Sequence, residues 1–295
     1  MYLHHFGLRE MPFSLTPDAG FVFRSRAYQA ALNTVLLAVD TGEGFVKVTG
    51  EVGTGKTMLG RELLALLEAR FSTAYVPHPA LDPRQMACAL ASELGIGAPS
   101  RSGAARLHAA LQSRLLKLAG QQRPTVIVVD EAHALPTETL EYLRLLSNLE
   151  TSKRKLIQLV LLGQPELDAR LHGSALRALA SRIAFAEQLQ PMDRATTSQY
   201  LAHRLHAAGW NAPSPWSDAA VWWLHRASGG VPRRVNRIAH KALMLAYGEG
   251  RWRIGWLAMR RAAADDAATV GPARLARSEE RRVGKKCRSR WSPYH

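Results

Sequence analysis

The 295-residue chain carries 39 Lys and Arg against 24 Asp and Glu, a formal charge of +15, and is 47% hydrophobic with two cysteines. That balance excludes a disordered or collagen-like chain and a disulfide scaffold, and no stretch approaches the ~18 consecutive apolar residues of a spanning helix. The start, MYLHHFGLREMPF, lacks the basic opening and continuous apolar core of a signal peptide, so the expectation is a soluble, cytosolic, basic protein.

Residues 1–24, rich in Pro, Phe and Gly, are expected to form a structured leader, with Pro12-Phe13 and Thr16-Pro17-Asp18 marking turns. Tyr28, Ala31, Leu32, Val35, Leu36 and Val39 then recur at helical spacing. Phe45 to Thr49 predicts a short strand entering a glycine-rich turn, followed by a helix from Lys56 to about Arg70 and a strand over Thr73–Pro77. Helices around 83–94 and 104–119 precede Thr125–Val129, a continuous β-branched run that suits a central strand covered on both faces. Pro136–Leu149 is predicted helical, with strands over Leu156–Leu162 and Ile183–Leu189. Strands alternating with helices imply an α/β domain built on a mainly parallel sheet.

After Pro191 the pattern is wholly helical. Asp193 and Ser217 suit the N-caps of helices over 194–208 and 218–227. A third helix spans about 232–248, and Trp252–Asp265 holds a short extended piece and a last helix. The expected organisation is therefore a leader over 1–24, an α/β core over 25–190, a small helical domain over 191–268 and a tail over 269–295. Trp222-Trp223, Trp252 and Trp256, set among Arg226, Arg237, Arg251 and Arg253, are expected to form the helical core with arginine stems packed over them. A nucleic-acid platform is the less favoured reading.

Two motifs carry chemistry. Gly50-Glu51-Val52-Gly53-Thr54-Gly55-Lys56-Thr57 fits the phosphate-loop pattern in full, between a strand and a helix as its mechanism requires. The glycines let successive N–H groups wrap a polyphosphate, and the helix start adds its positive dipole. Lys56 reaches the β- and γ-phosphates, and the Thr57 hydroxyl is a Mg²⁺ ligand. The second motif is Val126-Ile-Val-Val-Asp130-Glu131, which puts one carboxylate at a buried strand end to hold Mg²⁺ and a second beside it as general base for water. Asp130-Glu131-Ala132-His133 also spells the DEAH string of certain helicases. The chain after 191 is too short for a second motor domain, and His133 is read as a local helix-start residue.

Taken together, the FGL…PF…TPD leader, GEVGTGKT, VIVVDEAH, LRLLSNLET, LIQLVLLGQPEL and SGGVPRRVNRI resemble AAA+ ATPases, specifically the ExeA/GspA–MshM group, over about residues 1–265. The leader and the GEG-x-VKVTGEVG run look most like the MSHA (type IV) pilus biogenesis ATPase. The resemblance implies a P-loop AAA+ core with a parallel sheet flanked by helices, followed by an all-helical lid domain. It implies ATP and Mg²⁺ as cofactors and ATP hydrolysis in support of a pilus or type II secretion machine.

Three further residues take roles from the resemblance. Gln164 would be a polar sensor, and Arg233 a lid arginine, with Arg234 as its rival. Arg182 would be an arginine finger acting on a neighbouring subunit, with Arg177 as its rival. Implied partners are further copies of the chain and inner-membrane assembly proteins, with a cytoplasmic site peripheral to the inner membrane. The ExeA branch carries a membrane span and a peptidoglycan-binding region beyond its ATPase. The alternative function is a DNA-binding AAA+ regulator of transposition, mildly favoured by the basic charge.

Residues 277–295, RSEERRVGKKCRSRWSPYH, lack helical or strand period and resemble the in-frame translation of a sequencing adapter, differing from it only at Lys286. Their seven basic and two acidic residues supply +5 of the +15 charge, leaving +10 over the first 276 residues. Cys88 then stands alone in an apolar helical setting, as a small core residue.

Overall fold

The computed structural model describes residues 2–16, 18–77, 81–97, 103–150 and 155–270. The adapter-like tail, Thr151 of the LRLLSNLET string and Pro17 of the leader turn lie outside the described residues. In chain order the elements are α1 (Tyr2–His5), α2 (Arg26–Thr41), β1 (Phe45–Gly50), α3 (Lys56–Leu67), β2 (Ser72–Val76), α4 (Pro83–Glu93), α5 (Ala104–Gly120), β3 (Thr125–Val129) and α6 (Thr137–Leu146). They continue with β4 (Ile157–Gly163), α7 (Glu166–Leu171), α8 (Arg177–Ala180), β5 (Ile183–Leu189), α9 (Arg194–Ala207), α10 (Asp218–Ser228), α11 (Pro232–Gly248) and α12 (Trp256–Val270). The chain divides into two compact units, one within residues 17–191 and the other formed by the first sixteen residues with those after Pro191.

The first unit is built on a five-stranded sheet in the order β2-β3-β4-β1-β5, with every neighbouring pair parallel. Side chains alternate across a strand with period two, so the unbroken apolar runs of β3 and β4 feed two cores. Val126, Val128, Val160 and Leu162, with Val46 and Val48 of β1, pack under α2 and α3. Ile127, Val129, Leu159 and Leu161 pack on the other side with Met86, Leu111, Leu115, Leu140 and Leu143 of α4, α5 and α6. Each such side chain taken fully from water stabilises the fold by about 1.5–3 kcal/mol. The helix after the phosphate loop sits close to the sheet: a Cβ at Gly60 would lie 2.6 Å from a Leu162 methyl. Helix α2 starts at Ser25, whose hydroxyl accepts the Tyr28 N–H, and stops at the left-handed Gly42.

In the second unit the cap expectations are met. The Asp193 carboxylate accepts the Thr196 N–H at 2.7 Å and the Ser217 hydroxyl accepts the Ala220 N–H at 3.2 Å, contacts of a kind worth about 1 kcal/mol each. The first sixteen residues fold with these helices. The Arg204 guanidinium donates to the Pro12 and Ser14 carbonyls at 2.5 and 3.2 Å, and the Arg9 N–H donates to the Ala208 carbonyl at 2.8 Å. Phe13, fully buried, meets Trp216 edge-on, and Tyr2 bonds His240 at 3.0 Å. The expectation that Trp222, Trp252 and Trp256 form the core is corrected: they are 42%, 57% and 47% exposed. The interior belongs instead to Leu201, Leu224, Ile238, Leu243, Ile254 and Met259, with Trp216 among them. Aliphatic side chains at helical spacing on α9 to α12 already fill it, which leaves these three rings on the outside.

Burial depresses the pKa of His240, so the folded unit holds the neutral ring while the unfolded chain protonates it near pH ~6.5. The unfolded state then binds more protons below that pH, and the ring's contribution to stability falls as pH drops. Thermal unfolding followed at pH values from about 8 to about 5 is expected to show a steeper loss of melting temperature in the wild type than in His240→Gln.

Candidate functional site

The five strands run in one direction, so the segments leaving β1, β3 and β4 emerge at one end of the sheet. The turn after β1 is Glu51 to Gly55. Gly53 and Gly55 have φ of +84° and +103°, a region that side chains disfavour. Gly50 is needed for a different reason: a Cβ there would stand 2.8 Å from the Thr54 hydroxyl and 2.9 Å from the Leu189 carbonyl. Thr54 closes the turn by donating its hydroxyl to the Glu51 carbonyl at 2.8 Å. Val52 is exposed at the tip.

Lys56 opens α3 and is only 5% exposed. Its ammonium donates to the Gly50 and Glu51 carbonyls at 2.7 and 3.0 Å, and so is held inside the turn. Burial lowers its pKa, and the carboxylates of Glu131, Asp130, Glu51 and Glu166 work against that shift. Thr57, next on α3, donates its hydroxyl to Asp130 Oδ2 at 2.7 Å. Asp130, at the end of β3 and 3% exposed, also accepts the Tyr75 hydroxyl at 3.1 Å and the Glu131 N–H at 2.9 Å. Burial and the adjoining Asp130 charge push the Tyr75 phenol up to about 12, which keeps it a donor. The converging Thr57 and Asp130 oxygens are a donor set of the kind a hard divalent cation takes.

Beyond Asp130 the backbone turns sharply. Glu131 has φ +51°, a left-handed conformation costing roughly 1–2 kcal/mol for a side-chain-bearing residue. Its carboxylate meets the segment leaving β4: the Gln164 amide donates to Glu131 Oε2 at 3.3 Å and lies 2.8 Å from His133 Nε2. The Gln164 backbone N–H also lies 3.4 Å from His133 Nδ1, so the main chain and the side chain of Gln164 each meet one nitrogen of the same ring. His133 Nε2 is 3.6 Å from Glu131 Oε2.

Gln164 is itself held by α7. The Lys47 ammonium and Asp168 form an ion pair, and the Thr49 hydroxyl donates to the same carboxylate at 3.2 Å, tying α7 to β1. Arg170 donates to the His133 carbonyl at 2.5 Å.

Thus the structure brings Gly50 to Thr57, Asp130, Glu131 and Gln164 together, and adds His133, Tyr75, Lys47, Asp168 and Arg170, which sequence reading missed. His133 does stand in a short 3-10 helix, Ala132–Ala134, as the helix-start reading has it, and it also bonds Gln164. The DEAH string was a usable signal for it. Tyr75 and Asp168 carried none, because each is defined by a neighbour far away in the chain.

Arg182 is not in this cluster. It precedes β5, whose first residue Ile183 is level with Phe45, the first of β1. At ~3.3 Å per residue, β1 alone separates it from the phosphate turn by about 17 Å. Its guanidinium donates to Ser147 at 3.0 Å beside a cavity of about 640 Å³ lined by Glu43, Phe45, Glu150 and Lys155. Arg177 is exposed on α8. Arg233, in the first turn of α11, is exposed, whereas Arg234 is half-buried and donates to the Ala227 carbonyl at 2.6 Å.

Comparison with known proteins fits this geometry. Residues 39–171 match the AAA domain family. The matched segment is similar to that family. It contains the phosphate turn, Asp130, Glu131, Gln164 and both helices that pin them. General secretion pathway protein A of Aeromonas hydrophila is 39% identical over 254 residues, covering 86% of this chain and 46% of that protein. The chain therefore spans about half the length of that relative. Among solved structures, the Aeropyrum pernix ORC2 protein in ADPNP and ADP complexes aligns with a TM-score of 0.64 at 16% identity, over 86% of this chain and 71% of that one. Cdc6p from Pyrobaculum aerophilum gives 0.62 at 18% identity, over 82% and 67%. These likenesses speak to the fold alone.

The close approach at Gly50 has a measurable consequence. Gly50→Ala is expected to lower stability by about 1–3 kcal/mol through overpacking against Thr54 and Leu189, read as a lower urea midpoint without any nucleotide. A midpoint equal to that of the wild type would refute the packing argument.

Proposed function

We propose that the chain binds ATP with Mg²⁺ and hydrolyses it to ADP and phosphate, in support of assembling a bacterial envelope machine of the ExeA/GspA type. The observation that carries the chemistry is the meeting of the phosphate turn, Thr57–Asp130 and Glu131–Gln164 at one end of the sheet. The N–H groups of Gly53 to Thr57 cradle the phosphates, and the Lys56 ammonium exchanges two loop carbonyls for phosphate oxygens. Thr57 and Asp130 hold the divalent ion, which when bound offsets charge on the phosphates. Glu131 takes the proton from the attacking water, and Gln164, clamped by His133 and α7, orients that water against the γ-phosphate.

Arg182 is assigned as the finger. Its distance from its own phosphate turn supports action on a second copy, with the guanidinium stabilising charge on the γ-phosphate there. Arg233 rather than Arg234 is assigned as the lid arginine, because Arg234 is engaged by Ala227 and Arg233 is exposed. The likeness to general secretion pathway protein A supports the group. The leader and the GEGFVKVTGEVG run carry the narrower assignment to an MSHA-type pilus machine, with inner-membrane assembly proteins as partners.

Glu131→Gln is expected to keep ATP affinity and lose turnover by a factor on the order of 10²–10⁴. Arg182→Ala is expected to bind ATP normally and to hydrolyse it slowly. Mixing these two variants should restore turnover, since the first supplies fingers to the intact sites of the second. Full turnover by Arg182→Ala at saturating protein would remove the finger assignment, and full turnover by Glu131→Gln would remove the base.

A further inference from the structure

The stretch from Arg251 to Arg261 reads RWRIGWLAMRR and is held in a defined frame. The Ile254 N–H donates to the Pro215 carbonyl at 2.8 Å and its carbonyl accepts the Ser217 N–H at 3.1 Å, with Ile254 and Met259 fully buried. Around those two anchors the outward side chains are aromatic, aliphatic and cationic. Trp252, Trp256 and Leu257 are 57%, 47% and 41% exposed, and Arg253 and Arg260 are exposed between them. Glu249 ties the two ends together, accepting from Arg261 at 3.1 Å and lying 3.4 Å from Arg251. The Cα atoms of Trp252 and Trp256 are at most about 14 Å apart, the reach of four residues. Arg260 lies over the Trp256 ring at 5.9 Å.

Burial in the unit's own core does not account for rings this exposed on a fixed frame, and of the four arginines beside them Arg251 and Arg261 share one carboxylate, Glu249. We infer that this patch docks on the surface of an anionic phospholipid bilayer, with Trp252, Trp256 and Leu257 at the headgroup–acyl boundary and the arginines on lipid phosphates. Three features favour lipid over nucleic acid. Tryptophan is suited to the membrane interface, where its ring is buried and its N–H stays wet. Leu257 offers nothing to a base but inserts into the acyl boundary. One face of Trp252 is already stacked by His5 at 4.6 Å, and one face of Trp256 is taken by Arg260, leaving a poor platform for successive bases. The charge complementarity is to the negative surface potential of anionic lipids, where each basic residue contributes additively. This docking does not rest on ATP turnover, and its test is read on binding alone.

The full chain is mixed with phosphatidylcholine vesicles with or without phosphatidylglycerol and floated. The expected result is binding to the anionic vesicles, weakened by added salt, with little on the neutral ones. The Trp252→Ser/Trp256→Ser and Arg253→Glu/Arg260→Glu proteins are each expected to partition at least about tenfold more weakly. Each should retain the wild-type melting temperature and nucleotide affinity. All of these proteins keep residues 277–295, so the basic tail cancels in the comparison. Should the serine variant fail to fold, Trp252→Phe/Trp256→Phe is expected to bind as the wild type does while losing most quenching by brominated lipid. No flotation of the wild type, equal flotation of the folded variants, or a single-stranded oligonucleotide that displaces the vesicles and is itself lost in the serine variant would each overturn the proposal, the last in favour of nucleic acid.

Discussion

The site depends on one constraint, that β1, β3 and β4 are parallel neighbours in a single sheet. Parallel strands deliver their C-terminal ends to the same edge, so the segments leaving Gly50, Val129 and Gly163 must meet there. The 2.7 Å bond from Thr57 to Asp130 is the visible seam of that meeting. It joins the first turn of α3 to the end of β3, with β4 lying between β1 and β3. An antiparallel partner at any of these positions would send one member of the cluster to the opposite end.

Close packing turns this arrangement into a narrow tolerance. The α3 helix can aim its N-terminus into the phosphate turn because Gly60 lets it lie against Leu162. Gly163 plays a similar part on the other side, since a Cβ there would reach 2.9 Å from Leu167 and 3.4 Å from the His133 N–H. The strained turn at Glu131 is held between these contacts. Such strain persists where the surroundings over-determine it, here through Asp130, Gln164 and the Arg170 bond to the His133 carbonyl.

The helical unit obeys a different rule. Its core is satisfied by aliphatic residues at helical spacing and by the first sixteen residues, anchored through Arg204. Large aromatic side chains are therefore left over, and they gather with arginines on the outside. Composition alone favours placing tryptophans inside, since they remove so much surface from water. Which residues win the limited interior of a small unit is decided by competition between faces that are distant in sequence.

Most of the fold was legible in the chain. Period-two and period-3.6 spacing reports which face of each element is apolar, and Asp193, Ser217 and the glycines of the phosphate turn state their backbone roles locally. The residues of that turn, with Asp130 and Glu131, are likewise identifiable because their spacing within one segment is the mechanism. What lay beyond the sequence were pairings between segments: Tyr75 with Asp130, Asp168 with Lys47, His133 with Gln164, Arg204 with Pro12, and the exposure of Trp252 and Trp256. Local pattern encodes what a residue's own strand or helix requires of it. Only the tertiary structure decides which distant groups come within hydrogen-bonding reach, because strand order and core competition are properties of the whole chain.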